Sequence, residues 1–339
     1  MSERNKSIDI ARGICICCMV IIHGCSWWGQ HPEINMFTGA WFLVFFFFCS
    51  GLVDERRHNI SATIRKSFIN LEIPYLLSTV TYVIYVSCTK NSIVASNLNE
   101  MIKIALGSIF YGFSGPVNNP YPFKVSNIGM GPIWFFQCMF VTKIVNRIIP
   151  NSRKWMPIRF LIAALAWVSM RYFTLPMAIQ PAMIGLGFVS LGILCKSFYR
   201  WLDKFVKDCS LSLLIIMSVL SGYVLYVVVT HVPYQWMNLG QNVYHPQSLL
   251  STIIGFTFLL LTSQLLQRLY LLDDAFSYIG KKSMIILIMH NLDILILRDW
   301  GHANNWSFVL FSPVIYLIIL HCVDRMIHQC PEFSKKLKN

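Results

Sequence analysis

Residues 209–230 read CSLSLLIIMSVLSGYVLYVVVT, a run of 22 residues without a charged side chain. A transmembrane α-helix needs about 20 mostly apolar residues to cross the hydrocarbon core of a bilayer. This stretch therefore predicts a membrane-spanning helix. The composition agrees, because 55% of the 339 residues are hydrophobic and 13% are charged, whereas a soluble domain carries roughly a quarter charged residues. The abundance of apolar residues also excludes a disordered chain.

Nine further apolar runs satisfy the same length rule. The ten predicted spans cover 10–28, 37–53, 69–88, 131–149, 158–176, 178–197, 209–230, 248–267, 282–297 and 306–323. The stretch from Glu100 to Gly115 is short and interrupted by three glycines, so we expect a re-entrant or interfacial segment near 100–115. The sequence thus predicts an all-α integral membrane protein of about ten transmembrane helices, forming one polytopic domain over 1–339.

The basic residues predict the orientation of these helices. With the amino terminus in the cytoplasm, 23 of the 28 Lys and Arg residues fall on the cytoplasmic side, and the loop 231–247 contains none. This asymmetry predicts a plasma or bacterial inner membrane protein with both termini in the cytoplasm. Topology explains the net charge of +13 without a nucleic acid partner. A basic cytoplasmic rim would also attract a polyanionic substrate.

The eleven cysteines do not form a disulfide or metal-binding pattern. Most lie in or beside apolar runs, with no His/Cys cluster at metal-ligand spacing. We interpret them as small apolar side chains and expect no metal.

Ionisable residues within membrane helices are costly and are therefore functional candidates. The first helix contains Asp9, Arg12 and His23. Arg12 and His23 are eleven residues apart, so they share one face, with His23 about 16 Å deeper. His290 lies eight residues after Lys282, about 12 Å along its helix, so the two histidines could share one cavity.

Each of these residues also has a structural interpretation. For His23 we favour function, because an unpaired imidazole in mid-membrane is expensive to keep without a use. His290 fits a functional or a packing role equally well, and His321 fits packing. Glu72, which starts the third span, is either functional or a buried counter-ion to Arg12 or Arg65.

Several motifs, in order, resemble the membrane-bound acyltransferase-3 family. Residues 7–13 read SIDIARG, followed by His23, similar to the family's D-x-x-R-G and a later histidine. Segment 45–52, FFFFCSGL, which includes Ser50, resembles its aromatic run ending in Ser-Gly. Segment 70–75, NLEIPY, is similar to R-L-L-I-P-Y. Trp134 lies in a G-x-x-W-F segment, and IGKKS at 279–283 precedes His290. The family's paired arginines before Pro-Tyr are replaced by Ser67 and Asn70.

The resemblance is closest to the sugar O-acetylase branch and implies an O-acyltransferase with acetyl-CoA as donor. The implied acceptor is a hydroxyl of a cell-surface or lipid-linked glycan. Arg12, Arg65, Lys66 and Lys282 are available for the donor phosphates, His23 is the expected general base, and Arg12 and His290 complete the expected catalytic set. Asp9, Glu72, Ser50 and Trp134 are further polar candidates. The sequence leaves open an acyl-enzyme route through Cys25, Cys15 or His23.

Two alternatives come from other functional classes. An exporter or flippase of a lipid-linked polysaccharide is also multi-helical and basic inside, but we find no symmetry between the two halves of the chain. A glycan polymerase is expected to carry basic residues in large external loops, which here nearly lack Lys and Arg. The region 89–130 is the largest external segment and either covers the acceptor side or is an ordinary interfacial loop.

Overall fold

The computed structural model describes residues 5–27, 37–39, 41–54, 59–89, 98–113, 120–123, 131–231, 248–300 and 318. Within these ranges the chain is helical and contains no strand, apart from an isolated bridge between Pro120 and Thr174. The all-α prediction is therefore confirmed. Apart from residue 318, the last predicted span, 306–323, lies outside the described ranges, and so does His321.

Twelve α-helices are described, and we number them along the chain. They are α1 Lys6–Trp27, α2 Phe42–Leu52, α3 Ile60–Ser67, α4 Ile73–Thr89, α5 Leu98–Tyr111, α6 Trp134–Ile148, α7 Met156–Ser169, α8 Ile179–Asp208, α9 Leu211–His231, α10 Ser248–Gln267, α11 Tyr270–Lys281 and α12 Ser283–Trp300. A π-helical turn, Phe68–Glu72, joins α3 to α4, and a 3-10 turn, Gly131–Ile133, leads into α6.

Four helices of the described chain are long and apolar enough to cross a membrane: Ile60–Ile84, Ile179–Asp208, Leu211–His231 and Ser248–Gln267. The predicted count of ten spans is not confirmed and stays a prediction. Large apolar side chains such as Ile216, Val219 and Leu220 are exposed on α9. Because no water-soluble surface would expose such a continuous apolar helix, the protein is a membrane protein.

Two predicted spans differ from the helices observed. The span predicted over 158–176 ends as a helix at Ser169, because Thr174 pairs with the segment at Pro120 and Pro176 disfavours helical backbone before it. The span predicted over 178–197 continues to Asp208 as α8. The expected segment near 100–115 contains α5, whose 14 residues are too short to cross a bilayer.

The core is built from aromatic and aliphatic side chains between α1, α2, α6, α8 and α10. Phe45 and Phe47 of α2 are fully buried and make edge-to-face contacts with Phe256 and Phe135, at ring separations of 5.4 and 5.3 Å. The apolar run in α2 is buried against α8 and the neighbouring helices, and this packing fixes the positions of α1 and α6 around it.

Candidate active site

Two glycines bring α1 and α11 into backbone contact. A Cβ atom on Gly280 would lie 1.7 Å from the carbonyl oxygen of Asp9, and one on Gly13 would lie 2.2 Å from that of Phe276. Only glycine permits this approach. The Lys6 ammonium also binds Asp273 and Asp274 of α11, and these hydrogen bonds raise the pKa of Lys6. The contact places the first residue of α12 next to α1.

Arg12 lies at this junction. Its Nη2 atom donates a hydrogen bond to the Ser283 hydroxyl at 3.3 Å, and its Nη1 atom lies 3.8 Å from a carboxylate oxygen of Asp9. The guanidinium also lies 6.0 Å from the centre of the Phe46 ring. Asp9 is buried, whereas Arg12 is half-buried. A guanidinium has five N–H donors, so Arg12 can also donate to a ligand.

Lys143 lies within electrostatic range of both Arg12 and Lys66. Lys143 of α6 is half-buried, and the positive charges of Arg12 and Lys66 both repel its ammonium. Lys66 is exposed on the last turn of α3. We call Arg12, Lys66 and Lys143 the basic cluster. Within the described ranges no carboxylate forms an ion pair with Lys66 or Lys143, so an anion bound here would relieve the repulsion.

The other residues predicted to hold the donor lie beside this cluster along the chain. Arg65 precedes Lys66 on the exposed last turn of α3. Lys282 precedes Ser283, the hydrogen-bond partner of Arg12, and its ammonium lies 6.0 Å from the centre of the Tyr278 ring. Both residues are therefore sequence neighbours of residues that form the cluster or contact Arg12.

The two predicted histidines lie on helices that leave the Arg12–Ser283 contact. The backbone of α1 includes His23, about 16 Å along the axis from Arg12, but its side chain lies outside the described part of the structure. His290 is buried on α12, about 10 Å beyond Ser283. Since α12 packs against α1, the backbone is compatible with a shared site, which stays a prediction.

In the described structure Glu72 does not pair with Arg12 or Arg65, the partners that a counter-ion role would require. The side chain is 7% exposed and interacts with the amide of Gln137 on α6. In the described part of the chain it forms no ion pair with Arg12 or Arg65, and the carboxylate near Arg12 belongs to Asp9. The π-helical turn ending at Glu72 directs this part of the chain against α6.

Ser50, Trp134 and Cys15 contact other protein groups in the described structure. The Ser50 hydroxyl donates to the carbonyl of Phe46 in its own helix at 3.0 Å and lies 3.9 Å from the Met139 sulfur. Trp134 is buried at the start of α6 and packs against Phe135 at a ring separation of 6.4 Å. Cys15 is a buried free thiol, as expected of a small apolar residue, and the side chain of Cys25 lies outside the described part.

The sequence analysis missed three residues that the structure places near the predicted ones. Lys143 contributes only to the cytoplasmic charge in the sequence, whereas in the structure its ammonium is repelled by Arg12. Gln137 and Asn291 are buried amides in apolar helices, and only ionisable residues had been considered there. Gln137 and Asn291 could have been found as amides inside predicted membrane spans, because an amide is also expensive to bury without a partner.

Comparison with known proteins identifies the chain by its sequence. The model of the family described as "Acyltransferase domain" matches residues 5–323, which include all of the site residues discussed above. No curated protein and no solved structure matches the chain. The match covers nearly the whole sequence, and the helices agree with a membrane-bound acyltransferase. The chain therefore belongs to the acyltransferase-3 family, as the motifs around Arg12, His23 and His290 indicated.

Proposed function

We propose that the protein transfers an acetyl group from cytoplasmic acetyl-CoA to a hydroxyl of a cell-surface or lipid-linked glycan, as in the sugar O-acetylase branch of the family. The observation that carries this proposal is the basic cluster of Arg12, Lys66 and Lys143 at the base of the helix that contains His23. The family supplies the reaction class, and the cluster supports the choice of an anionic donor.

The basic cluster suits the phosphates of coenzyme A. Arg12 and Lys66 each repel the Lys143 ammonium, and a carboxylate oxygen of Asp9 lies 3.8 Å from Arg12. Phosphate oxygens would accept charge-assisted hydrogen bonds from Arg12 and the two lysines. Arg65 and Lys282 would add charge at the edges. The apolar pantetheine arm would then extend along α1, away from the cluster.

The acyl transfer would occur near His23. The acceptor hydroxyl attacks the thioester carbonyl carbon, a C–O bond forms, and the C–S bond breaks. A neutral His23 imidazole takes the hydroxyl proton and then returns it to the departing coenzyme A thiolate. Arg12 would hold the donor, and His290, on the adjacent α12, would line the same site. This scheme is a direct transfer, with no acyl group held on the protein.

A comparison of two donors tests the phosphate site. Acetyl-CoA carries the nucleotide phosphates and S-acetylpantetheine lacks them. Replacing Lys143 by Met should weaken acetyl-CoA binding roughly 10- to 100-fold, since a charged hydrogen bond contributes about 1.5–3 kcal/mol. Binding of S-acetylpantetheine should not change. Lys204→Met is the matched control, because Lys204 is exposed near the end of α8.

A deletion strain tests the reaction in the cell. Loss of the protein should remove an acetyl mass increment from the surface glycan and leave the polymer itself intact. Loss of the whole polymer would instead support an exporter or a polymerase. Equal loss of affinity for both donors in Lys143→Met would refute the phosphate site without refuting acyl transfer.

A further inference from the structure

A second group of polar side chains is buried at the end of the π-helical turn, on α6 and on α12. Glu72, Gln137 and Asn291 are 7, 2 and 1% exposed. Among the described residues, no hydrogen-bond partner is present for Glu72 Oε2, Gln137 Oε1 or either polar atom of the Asn291 amide. A buried polar group without a partner costs about 1–3 kcal/mol. We call these three residues the polar layer.

One edge of the polar layer is held rigidly. Gln137 Nε2 donates to the carbonyl of Ile109 at 3.1 Å, which fixes the orientation of its amide. The Tyr75 hydroxyl donates to the carbonyls of Ser108 and Ile109, both at 3.1 Å. A Cβ on Gly112, which has a φ of +62°, would lie 1.7 Å from Gln137 Oε1. These contacts position Gln137 beside Glu72.

The opposite edge is formed by Asn291 on α12. A Cβ on Gly131 would lie 3.1 Å from Asn291 Oδ1, so this amide lies at the turn that starts α6. Gln137 is six residues after Gly131, roughly 10 Å along the chain axis. α12 also packs against α4, the helix that follows Glu72. The two edges are thus about 10 Å apart along the start of α6, a distance that a sugar can span through its hydroxyl groups and their hydrogen bonds.

The polar layer and the basic cluster differ in charge. On the α3 side of the α3–α6 contact, Glu72 follows Lys66 by six residues. On the α6 side, Lys143 follows Gln137 by six residues. The pairs Lys66–Lys143 and Glu72–Gln137 therefore lie about 9 Å apart along antiparallel helices. The basic cluster attracts phosphate. The polar layer contains a carboxyl group and amides and suits a neutral ligand.

We propose that Glu72 and Asn291 bind the hydroxyl groups of the acceptor sugar, with Gln137 as the positioning residue for Glu72. An Asn amide both donates and accepts, and a carboxyl oxygen accepts, so together they complement hydroxyls, which do both. A neutral polyhydroxylated ligand would satisfy the buried atoms that the described residues leave unpaired. The inference deepens the proposed function and depends on it.

The test uses the full-length protein in lipid nanodiscs with radiolabelled acetyl-CoA. The acceptor probe is surface glycan from the source cell, deacylated with mild base. Asn291→Leu and Glu72→Leu should each raise the KM for this glycan roughly 10-fold or more, through the loss of hydrogen bonds. The Kd for acetyl-CoA should stay the same. Glu72→Gln, which keeps hydrogen bonding, should restore most of the acceptor affinity.

The control is Ser218→Ala, because the Ser218 hydroxyl on α9 is also buried and lacks a partner among the described residues. It should leave the KM for the glycan unchanged. An unchanged KM in folded Asn291→Leu and Glu72→Leu, as expected if these atoms bind only internal water, would overturn the acceptor site alone. A parallel loss of donor affinity would also overturn it. No label transfer by the wild-type protein would refute the proposed function and this site together.

Discussion

Replacement of Gly280 by Ala should separate α1 from α11 and weaken the site without touching a proposed functional residue. The new Cβ would lie 1.7 Å from the carbonyl oxygen of Asp9, and real Cβ atoms almost never approach closer than 3.0 Å. The two helices must therefore move apart by about 1.3 Å. Both nearest atoms are backbone atoms of Asp9, so no side-chain rotation can relieve the contact.

The expected magnitude follows from this displacement. Overpacking of a tight contact costs about 1–3 kcal/mol, whereas alanine in place of a helical glycine gains up to about 1 kcal/mol. We expect a net loss of about 1–2 kcal/mol in the free energy of unfolding. If the displacement is transmitted to Ser283, the bond from Arg12 would lengthen from 3.3 to about 4.6 Å and break.

The assay combines thermal unfolding in nanodiscs with acetyl-CoA binding. Gly280→Ala should lower the melting temperature and weaken donor binding. Gly222→Ala is the matched control, because its Cβ would meet only the movable ring of Phe258, at 3.0 Å, and should be close to neutral. Native stability and native donor affinity in Gly280→Ala would refute the close packing of α1 on α11 as the device that positions Arg12.

Three further predictions concern charge, the second histidine and topology. Arg12→Ala should weaken acetyl-CoA binding and raised salt should partly mimic it, while Arg153→Ala, on an exposed turn, should have no effect; unchanged affinity in Arg12→Ala would remove the phosphate site. His290→Ala should reduce turnover with little change in melting temperature, and a loss of stability alone would assign His290 to packing. Reporter fusions at Asn339 and within 231–247 should report opposite sides of the membrane, and the same side would contradict the ten-span topology.

Helices that coincide with one uninterrupted apolar segment could be predicted from the sequence, because the thickness of the bilayer sets their length. The run 209–230 corresponds to α9, Leu211–His231, and the run 248–267 to α10, Ser248–Gln267. The end of α7 could not be predicted in this way. It depends on the pairing of Thr174 with Pro120, a contact between segments far apart in the chain.

The candidate site could be predicted only where its residues share one helix. Arg12 and His23 belong to one apolar segment, so their helical spacing could be predicted from the sequence, and both lie on α1. The approach of Lys66 and Lys143 depends on the packing of α3 against α6, which the sequence does not encode in any local pattern. The contact of Glu72 with Gln137 could not be predicted for the same reason, since Gln137 is 65 positions away and uncharged.

The most direct test of the account is acetyl transfer by His23→Ala. The purified variant would be incubated with radiolabelled acetyl-CoA and the deacylated glycan, beside the wild-type protein, and label on the glycan would be measured together with donor affinity. A general base contributes about 10²–10⁴-fold, so we predict a loss of that size with donor affinity unchanged. Wild-type turnover in a well-folded His23→Ala protein would contradict the proposed mechanism.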